Sequence, residues 1–256
     1  MNHAFEIAGI GLSAQQRALD VIANNIANLN TLGFKRSDVR FVELIASAHD
    51  ASNPSASASL PFTLAGVSVR PMLMLDSQGD VERTGRALDI AIDGEGFIEV
   101  MGPRGETLLW RGGAMSVRED ALLATSGGLA LRAAIEIPPG ARELQIDADG
   151  VVRAQLGGDA NLTELGRIAI VTVDDPGALE RLDGGLYRLA DAGLARELVA
   201  GEAGAGTLVQ GALERSNVEL SEEMVRLMLV QRAYAANAQI VQAADQLMAI
   251  ANNLRK

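Results

Sequence analysis

Four carboxylates crowd one short stretch of this chain: Asp89, Asp93, Glu95 and Glu99. A convergent pair of acids is the minimum equipment for glycoside hydrolysis, one giving the proton and the other acting as base or nucleophile. Here the acids alternate with apolar residues through Ala87-Leu-Asp-Ile-Ala-Ile92 and Phe97-Ile-Glu-Val100. That is the pattern of strands with one solvated face, and such a face is the expected fate of all four acids. Nothing in the sequence supplies a second acid in a defined pocket. Asp147-Ala-Asp149-Gly150 opens like a calcium loop, but position five of such a loop falls on Val151 and position twelve on Gly158. The remaining oxygen ligands are missing, and a tight turn is expected instead. Gly94-x-Gly96 and Gly9-x-Gly11 are fragments of a dinucleotide fingerprint without the third glycine in register. Neither a Gly-x-Ser-x-Gly elbow nor a phosphate-binding Walker loop is present.

Composition narrows the chemistry further. The 256 residues contain no Cys, which removes disulfides, thiolate nucleophiles and Cys-ligated metals. His3 and His49 are the only histidines, too few for a His-based metal site or triad. The formal net charge of −11 opposes binding to bulk nucleic acid. One Trp, two Tyr and five Phe leave the core to Ala, Leu, Ile, Val and Met, with Trp110 as an anchor. No apolar run approaches the ~20 residues that cross a bilayer, and Met1–Asp20 lacks the basic and apolar regions of a cleavable signal. No cofactor, metal, small-molecule substrate or nucleic acid is expected. Taken alone, the missing signal points to the cytosol.

The elements around these residues divide the chain by texture. Phe5, Ala8, Leu12, Gln15, Leu19, Ile22, Ile26 and Leu29 recur at spacings of three and four, a heptad-like helical stripe, with Gly33 as its expected stop. Leu220, Met224, Leu227, Gln231, Tyr234, Ala238, Val241, Asp245 and Met248 form the matching stripe at the other end. Val230, Ala233, Ile240, Ala244, Leu247, Ala251 and Leu254 widen it. Ser221, Glu222 and Glu223 signal the helix start, and no Pro or Gly follows as far as Lys256. Between the helices lie a small, polar stretch, Ala46–Ala58, expected as linker, and then short apolar runs separated by Gly and Asp turns. The sequence 87–100 reads as a hairpin about Asp93-Gly-Glu-Gly96, and 143–154 as another about Asp147–Gly150. The fold class expected is α+β: long N- and C-terminal helices packed as a coiled-coil-like pair around an inserted, mainly antiparallel β-domain. Helices with such stripes are stable chiefly through packing, so they are expected to meet each other and further copies. Gly9 and Gly11 fit a close helix approach, and the run Asn24, Asn25, Asn28 and Asn30 fits a register-fixing interface.

Several of these residues also form a signature. Gly11-Leu-Ser-Ala-Gln-Gln16, Leu19-Asp-Val-Ile-Ala-Asn-Asn25, Ala27-Asn28 and Asn30-Thr31-x-Gly33-Phe-Lys-Arg36 closely resemble the N-terminal signature of the bacterial flagellar rod and hook proteins. Gln210-Gly-Ala-Leu-Glu-Arg-Ser-Asn-Val218, Glu223-Met-Val225 and Gln231-Arg-Ala-Tyr234 through Asp245 resemble its C-terminal half. The match continues through Thr84-Gly85 and Leu88-Asp89 to Gly96-Phe97. Length and the residues around Gln15 and Gln231 favour the distal rod form. The stretch 41–69 falls where that form carries an inserted extended segment, but Ser and Ala dominate it here. Gly112-Gly113-Ala114 also departs from the family's usual residues.

The resemblance implies a structural polymer and no enzyme. It implies segments 1–36 and 214–256 as the helices of an inner domain, 37–69 as an extended linker, and 70–213 as a β-rich outer domain. The assembly interface it implies comprises Phe5, Leu12, Leu19, Ile22, Asn24, Asn25, Ile26, Asn28, Leu29, Gly33, Phe34, Ser216, Asn217, Met224, Leu227, Gln231, Tyr234, Val241 and Met248. The implied partners are copies of itself, the proximal rod and hook proteins, the surrounding basal-body rings and the flagellar type III export apparatus. Export without a cleaved signal into a basal body spanning the periplasm reverses the cytosolic expectation. A proximal rod or hook-type subunit is the nearest alternative, and a periplasmic cell-wall hydrolase a remote one.

Overall fold

The computed structural model describes residues 2–46, 63–75, 77–156, 161–189 and 191–253. The chain divides into two compact units, one of Met1–Ile26, Ser37–Met72 and Glu219–Lys256, the other of Ala27–Arg36 and Leu73–Val218.

The first unit holds the terminal helices, α1 (Asn2–Ala27) and α2 (Leu220–Asn253). Two contacts place them side by side and antiparallel. Asn25 Nδ2 donates to Glu223 Oε2 at 3.3 Å, and Gly11 faces Asn237, whose Nδ2 lies 3.3 Å from where a Cβ on Gly11 would stand. The two contacts are separated by fourteen residues in each helix and in opposite directions, about 21 Å at 1.5 Å per residue. Among the described side chains of α1 the deepest are Ala14, Ala18, Ile22 and Asn25, a line rotated from the expected stripe and sharing only Ile22 with it. Leu12, Gln15, Leu19 and Ile26 flank that line half-buried. Ala14 and Ala18 are small enough to be covered completely, where the longer Leu12 and Leu19 side chains stay partly exposed. Gly11 faces the Asn237 side chain, whereas among the described residues no atom comes within 4 Å of a Cβ built on Gly9.

Helix α1 stops at Ala27, before Leu29 and well before Gly33. Asn28 diverts the chain into turns by accepting from Thr31 N at 3.1 Å on its backbone oxygen and from Thr31 Oγ1 at 3.1 Å on its side chain. The stretch expected as a linker begins and ends in strand: β1 (Ser37–Ala46) and β2 (Thr63–Leu73) form a two-stranded sheet. Most of the small, polar run Ala46–Ala58 lies outside the described residues.

The second unit is built of short strands: β3 (Val81–Arg83), β4 (Asp89–Asp93), β5 (Ile98–Met101), β6 (Thr107–Trp110), β7 (Gly112–Val117) and β8 (Leu123–Thr125) come first. They are followed by β9 (Arg142–Ile146), β10 (Val151–Gln155), β11 (Leu162–Arg167), β12 (Ile170–Val173), β13 (Leu179–Arg181) and β14 (Leu186–Leu189). The last are β15 (Ala195–Leu198), β16 (Thr207–Gln210) and β17 (Ala212–Glu214). Two four-stranded sheets, in the orders β13-β14-β6-β5 and β16-β4-β7-β8, enclose most of the core. The core is made of Ile90, Ile92, Ile98, Leu108, Trp110, Leu123, Leu131 and Ile170, among others, as the shortage of aromatics required. Smaller sheets, β11-β10-β9, β12-β15 and β17-β3, complete the unit, and the pairings among β3–β17 are antiparallel.

The Asp147–Gly150 turn does join a hairpin, β9 to β10. The Asp93–Gly96 turn does not. Strand β4 pairs with β16 and β7, while β5 pairs with β6, so the chain crosses between sheets there. Gly94 (φ 108°) and Gly96 (φ 122°) make the crossing possible, since a Cβ on Gly96 would sit 2.2 Å from Ile170 Cγ2. Between Arg167 and Ile170 the chain leaves β11 and starts β12, so the two are separate strands.

Candidate functional site

The residues with possible chemistry come first. Asp147 pairs with Arg153, and Asp149 Oδ1 accepts from Val151 N at 3.4 Å, so the Asp-x-Asp-Gly loop is held as a turn. Asp89 is not solvated as expected but buried, and its Oδ2 accepts from Thr84 Oγ1 at 2.5 Å and Arg86 Nε at 2.8 Å. A buried carboxylate needs such partners, and here they fix the bend between β3 and β4. Glu99 shares a cleft of about 260 Å³ with Arg132, Arg167 and Glu197. Burial pushes the Glu99 carboxyl up, the Arg132 guanidinium draws it back, and Glu197 adds to the rise. Glu197 sits on β15, far along the chain, which is why sequence spacing never paired the two. Arg132 holds Glu99 at 3.2 Å across this cleft.

The two signature halves meet in the connectors to the helices. Gly33 N donates to Glu214 O at 2.8 Å, Arg36 N to Asn217 Oδ1 at 2.6 Å, and Asn217 N to Phe34 O at 3.3 Å. Asn217 Nδ2 also donates to Met74 O and to Ser77 O and Oγ. Gly33 takes φ 64°, a left-handed turn that glycine enters without strain. Phe34 is buried beneath Arg181, whose guanidinium carbon stands 3.8 Å from the ring centroid and whose Nη2 donates to Lys35 O.

At the centre of this junction lies a set of buried charges. Glu214 Oε1 accepts from Lys35 Nζ at 2.7 Å and from Gly79 N at 3.1 Å, and Glu214 Oε2 accepts from Arg111 Nε at 2.8 Å. Arg111 occupies the single residue between β6 and β7, where the chain changes sheet, and it also donates to Gly94 O and Gly96 O at the other crossing. Lys35 donates to Ser77 O at 3.0 Å. None of Lys35, Arg111 and Glu214 was singled out by sequence as a group, because nothing in their spacing links them.

The remaining expected interface residues separate by exposure. On α1, Ile22 and Asn25 are buried, Leu12, Leu19 and Ile26 half-buried and Asn24 exposed; Asn28 and Leu29, in the turn beyond it, are half-buried. Asn25 also exchanges two bonds with the Ser37 backbone, donating to O at 2.8 Å and accepting from N at 3.0 Å. Ser216 is half-buried beside Asn217. On α2, Leu227 and Val241 are half-buried, and Met224, Gln231 and Tyr234 exposed. The side chains of Phe5 and Met248 lie outside the described residues. Among the described side chains of α2, the exposed large apolar residues off the expected stripes are Val225, Met228, Leu229 and Ile250.

Three family models match the same chain in order. The model for flagella basal body rod proteins matches residues 5–35, and the flagellar hook protein FlgE/F/G D1 domain matches 91–154. The flagellar basal body rod FlgEFG protein C-terminal model matches 209–254. A flagellar basal-body rod protein FlgG of Caulobacter vibrioides is 32% identical over 98% of this chain and 99% of its own. The FlgG of Borreliella burgdorferi is 32% identical over the full length of both chains. The chain belongs to the flagellar basal-body rod protein family. The FlgG of Agrobacterium fabrum is 34% identical over 96% of this chain, whereas the flagellar hook-basal body complex protein FlhP of Bacillus subtilis is 26% identical over 97%. The N- and C-terminal models each cover one terminal helix with its connector, so the family signature coincides with the α1/α2 pair and the buried junction. This flagellar rod protein is a structural subunit of the basal body.

Proposed function

We propose that the chain is the distal rod subunit and polymerises helically with copies of itself into the torque-transmitting shaft. The observation that carries this reading is a second apolar face on α2. At 100° per residue, Val225, Met228, Leu229, Ile240 and Ile250 fall within an arc of about 120°. The covered or half-covered residues among the described side chains of α2, Glu223, Arg226, Leu227, Val230, Asn237, Ala238, Val241 and Ala244, centre on the opposite side. Leu229 is 60% and Ile240 59% exposed. Arg232 and Gln239 share that arc, so the face is mixed rather than wholly apolar, and its large apolar side chains stand exposed. One face of α2 meets α1 in the same chain, and the other needs neighbouring copies, each large side chain contributing about 1.5–3 kcal/mol on full burial.

The fourteen-residue separation of the two α1–α2 contacts equals two heptads, which supports a coiled-coil-like pairing of the terminal helices as the inner tube. The β-rich segment 70–213 would form the outer wall, with 1–36 and 214–256 inside and 37–69 as the rod-specific segment. The proximal rod, hook, rings and type III export apparatus are the partners of this reading, with the assembled rod spanning the periplasm.

Deletion of the gene followed by electron microscopy of purified basal bodies tests the position. The expected particle carries a short proximal rod and no hook. A complete rod with hook in the deletion strain would sink the reading, and loss of all rod would place the subunit proximally.

A further inference from the structure

Asn25 is 1% exposed and Glu223 fully buried, and both of the Asn25 amide's N–H groups and its oxygen are engaged. One N–H goes to Glu223 on α2. The other N–H and the oxygen close a reciprocal pair with the Ser37 backbone, as a neighbouring strand would. One turn further along α2, Arg226 Nη1 donates to Asp38 Oδ1 at 3.0 Å, so the first two residues of β1 are both held by the helix pair. We propose that Asn25 sets the register of α1 against α2 and locks it to the point where the β1–β2 ribbon leaves the helices. The proposal rests on the reading of these helices as the assembly core, since a one-turn slip would displace the ribbon relative to every neighbouring subunit.

The two contact points differ in what they tolerate. At Gly11, Asn237 Nδ2 stands 3.3 Å from a Cβ position, and a slip of four residues would bring up Ala233 one way or Val241 the other, neither of which carries a polar group that needs a partner. Polar pairing at that end therefore does not choose the register. At Asn25 a slip of four residues would replace Glu223 by Leu227 or Glu219. Leu227 cannot accept a hydrogen bond; Glu219 can, but it precedes the first residue of α2, and either slip takes the amide away from the buried Glu223 carboxylate. A buried polar group without its partner is disfavoured strongly enough to decide between registers that packing alone accepts.

The absence of native Cys makes the test clean. In the full-length chain, Gly11→Cys is combined with Asn237→Cys for the native register, or with Ala233→Cys or Val241→Cys for a slip of one turn. The native pair is expected to cross-link at least about tenfold in preference to either slipped pair, and Asn25→Leu should reduce that preference to near unity. Glu223→Leu, which leaves Asn25 its Ser37 partners, should do the same, whereas Glu223→Gln, which keeps an acceptor, should retain the native preference. Helix content by circular dichroism is followed in each variant. A native preference that survives both Asn25→Leu and Glu223→Leu would overturn the proposal, as would equal cross-linking of all three pairs in the parent. Because cross-linking is read within one chain, it is independent of whether the subunit occupies the distal rod.

Discussion

Lys35 and Glu214 stand 179 residues apart in sequence, and their side chains meet at 2.7 Å, 1% and 2% exposed. Lys35 lies in the connector after α1, and Glu214 ends β17 before the connector to α2. The pair thus ties the connector that precedes β1 to the last strand of the β-rich unit. Arg111 completes the set and brings in both points at which the chain changes sheet. Two cations share one carboxylate, so the group is not symmetrical in its response to substitution. Glu214→Ala leaves two buried cations facing each other and should cost about 3–5 kcal/mol. Lys35→Met leaves the Arg111–Glu214 pair balanced and should cost about 1–2 kcal/mol, mainly through the lost Ser77 bond. Urea denaturation of the two variants measures the order, and a larger loss for Lys35→Met would contradict it.

The same excess of cations predicts a pH dependence. Burial lowers the Lys35 pKa from its ordinary 10.5, Arg111 lowers it further, and Glu214 partly restores it. The unfolded chain therefore binds more protons than the folded one between the lowered value and 10.5, and in that window stability rises with pH. Below the lowered value both states are charged and this contribution is flat. The difference in unfolding free energy between the parent and Lys35→Met should grow in the parent's favour as pH is raised toward 10.5. A constant difference over that range would show that Lys35 titrates alike in both states.

Gly150 closes the β9–β10 hairpin at φ 86°, and a Cβ there would lie 2.2 Å from the Ile168 carbonyl oxygen. That oxygen belongs to backbone and cannot swing away as a side chain would. Gly150→Ala should cost about 2–3 kcal/mol, through both the left-handed conformation and the clash. Gly140 also has positive φ, 90°, but a Cβ there meets nothing within 4 Å, so Gly140→Ala should cost only about 1 kcal/mol. Thermal melts of the two variants separate conformational strain from crowding, and equal losses would mean that the contact at Gly150 relaxes.

What the sequence revealed follows the range of the interactions. Terminal helices could be read from three/four spacing because that pattern is local, and Asn25 stood out because Asn is a mediocre helix former. Which face of α1 lies deepest could not be read, since a stripe of leucines and a line of alanines predict opposite answers until a neighbour's distance is known. Asp93-Gly-Glu-Gly96 identified a turn correctly but not its purpose, because a turn motif carries no information on which strands pair across it. Lys35 and Glu214 stood in separate halves of the signature and Arg111 in neither, and only contacts spanning 179 and 103 residues make them a unit. Glu197 was invisible as a neighbour of Glu99 for the same reason.

The terminal helices make a final contrast available, between two isoleucines with opposite surroundings. Ile22 is 5% exposed on the deepest line of α1, and Ile240 is 59% exposed on the second face of α2. Sequence periodicity treats both as stripe residues, but the structure assigns them different neighbours. Ile22→Asp buries an unpaired carboxylate and should destabilise the isolated chain by about 3–5 kcal/mol, so loss of motility in that variant reports folding. Ile240→Asp changes only a solvated surface of the free chain and should alter its stability by no more than about 0.5 kcal/mol. In an assembled rod the same carboxylate would face apolar helices of neighbouring copies, and swimming in soft agar should be abolished. Circular dichroism with urea on the purified chain, set beside motility and basal-body micrographs, distinguishes the two effects. Normal swimming by Ile240→Asp would show that the second face of α2 stays in contact with water, and would remove the observation on which self-assembly through that face rests.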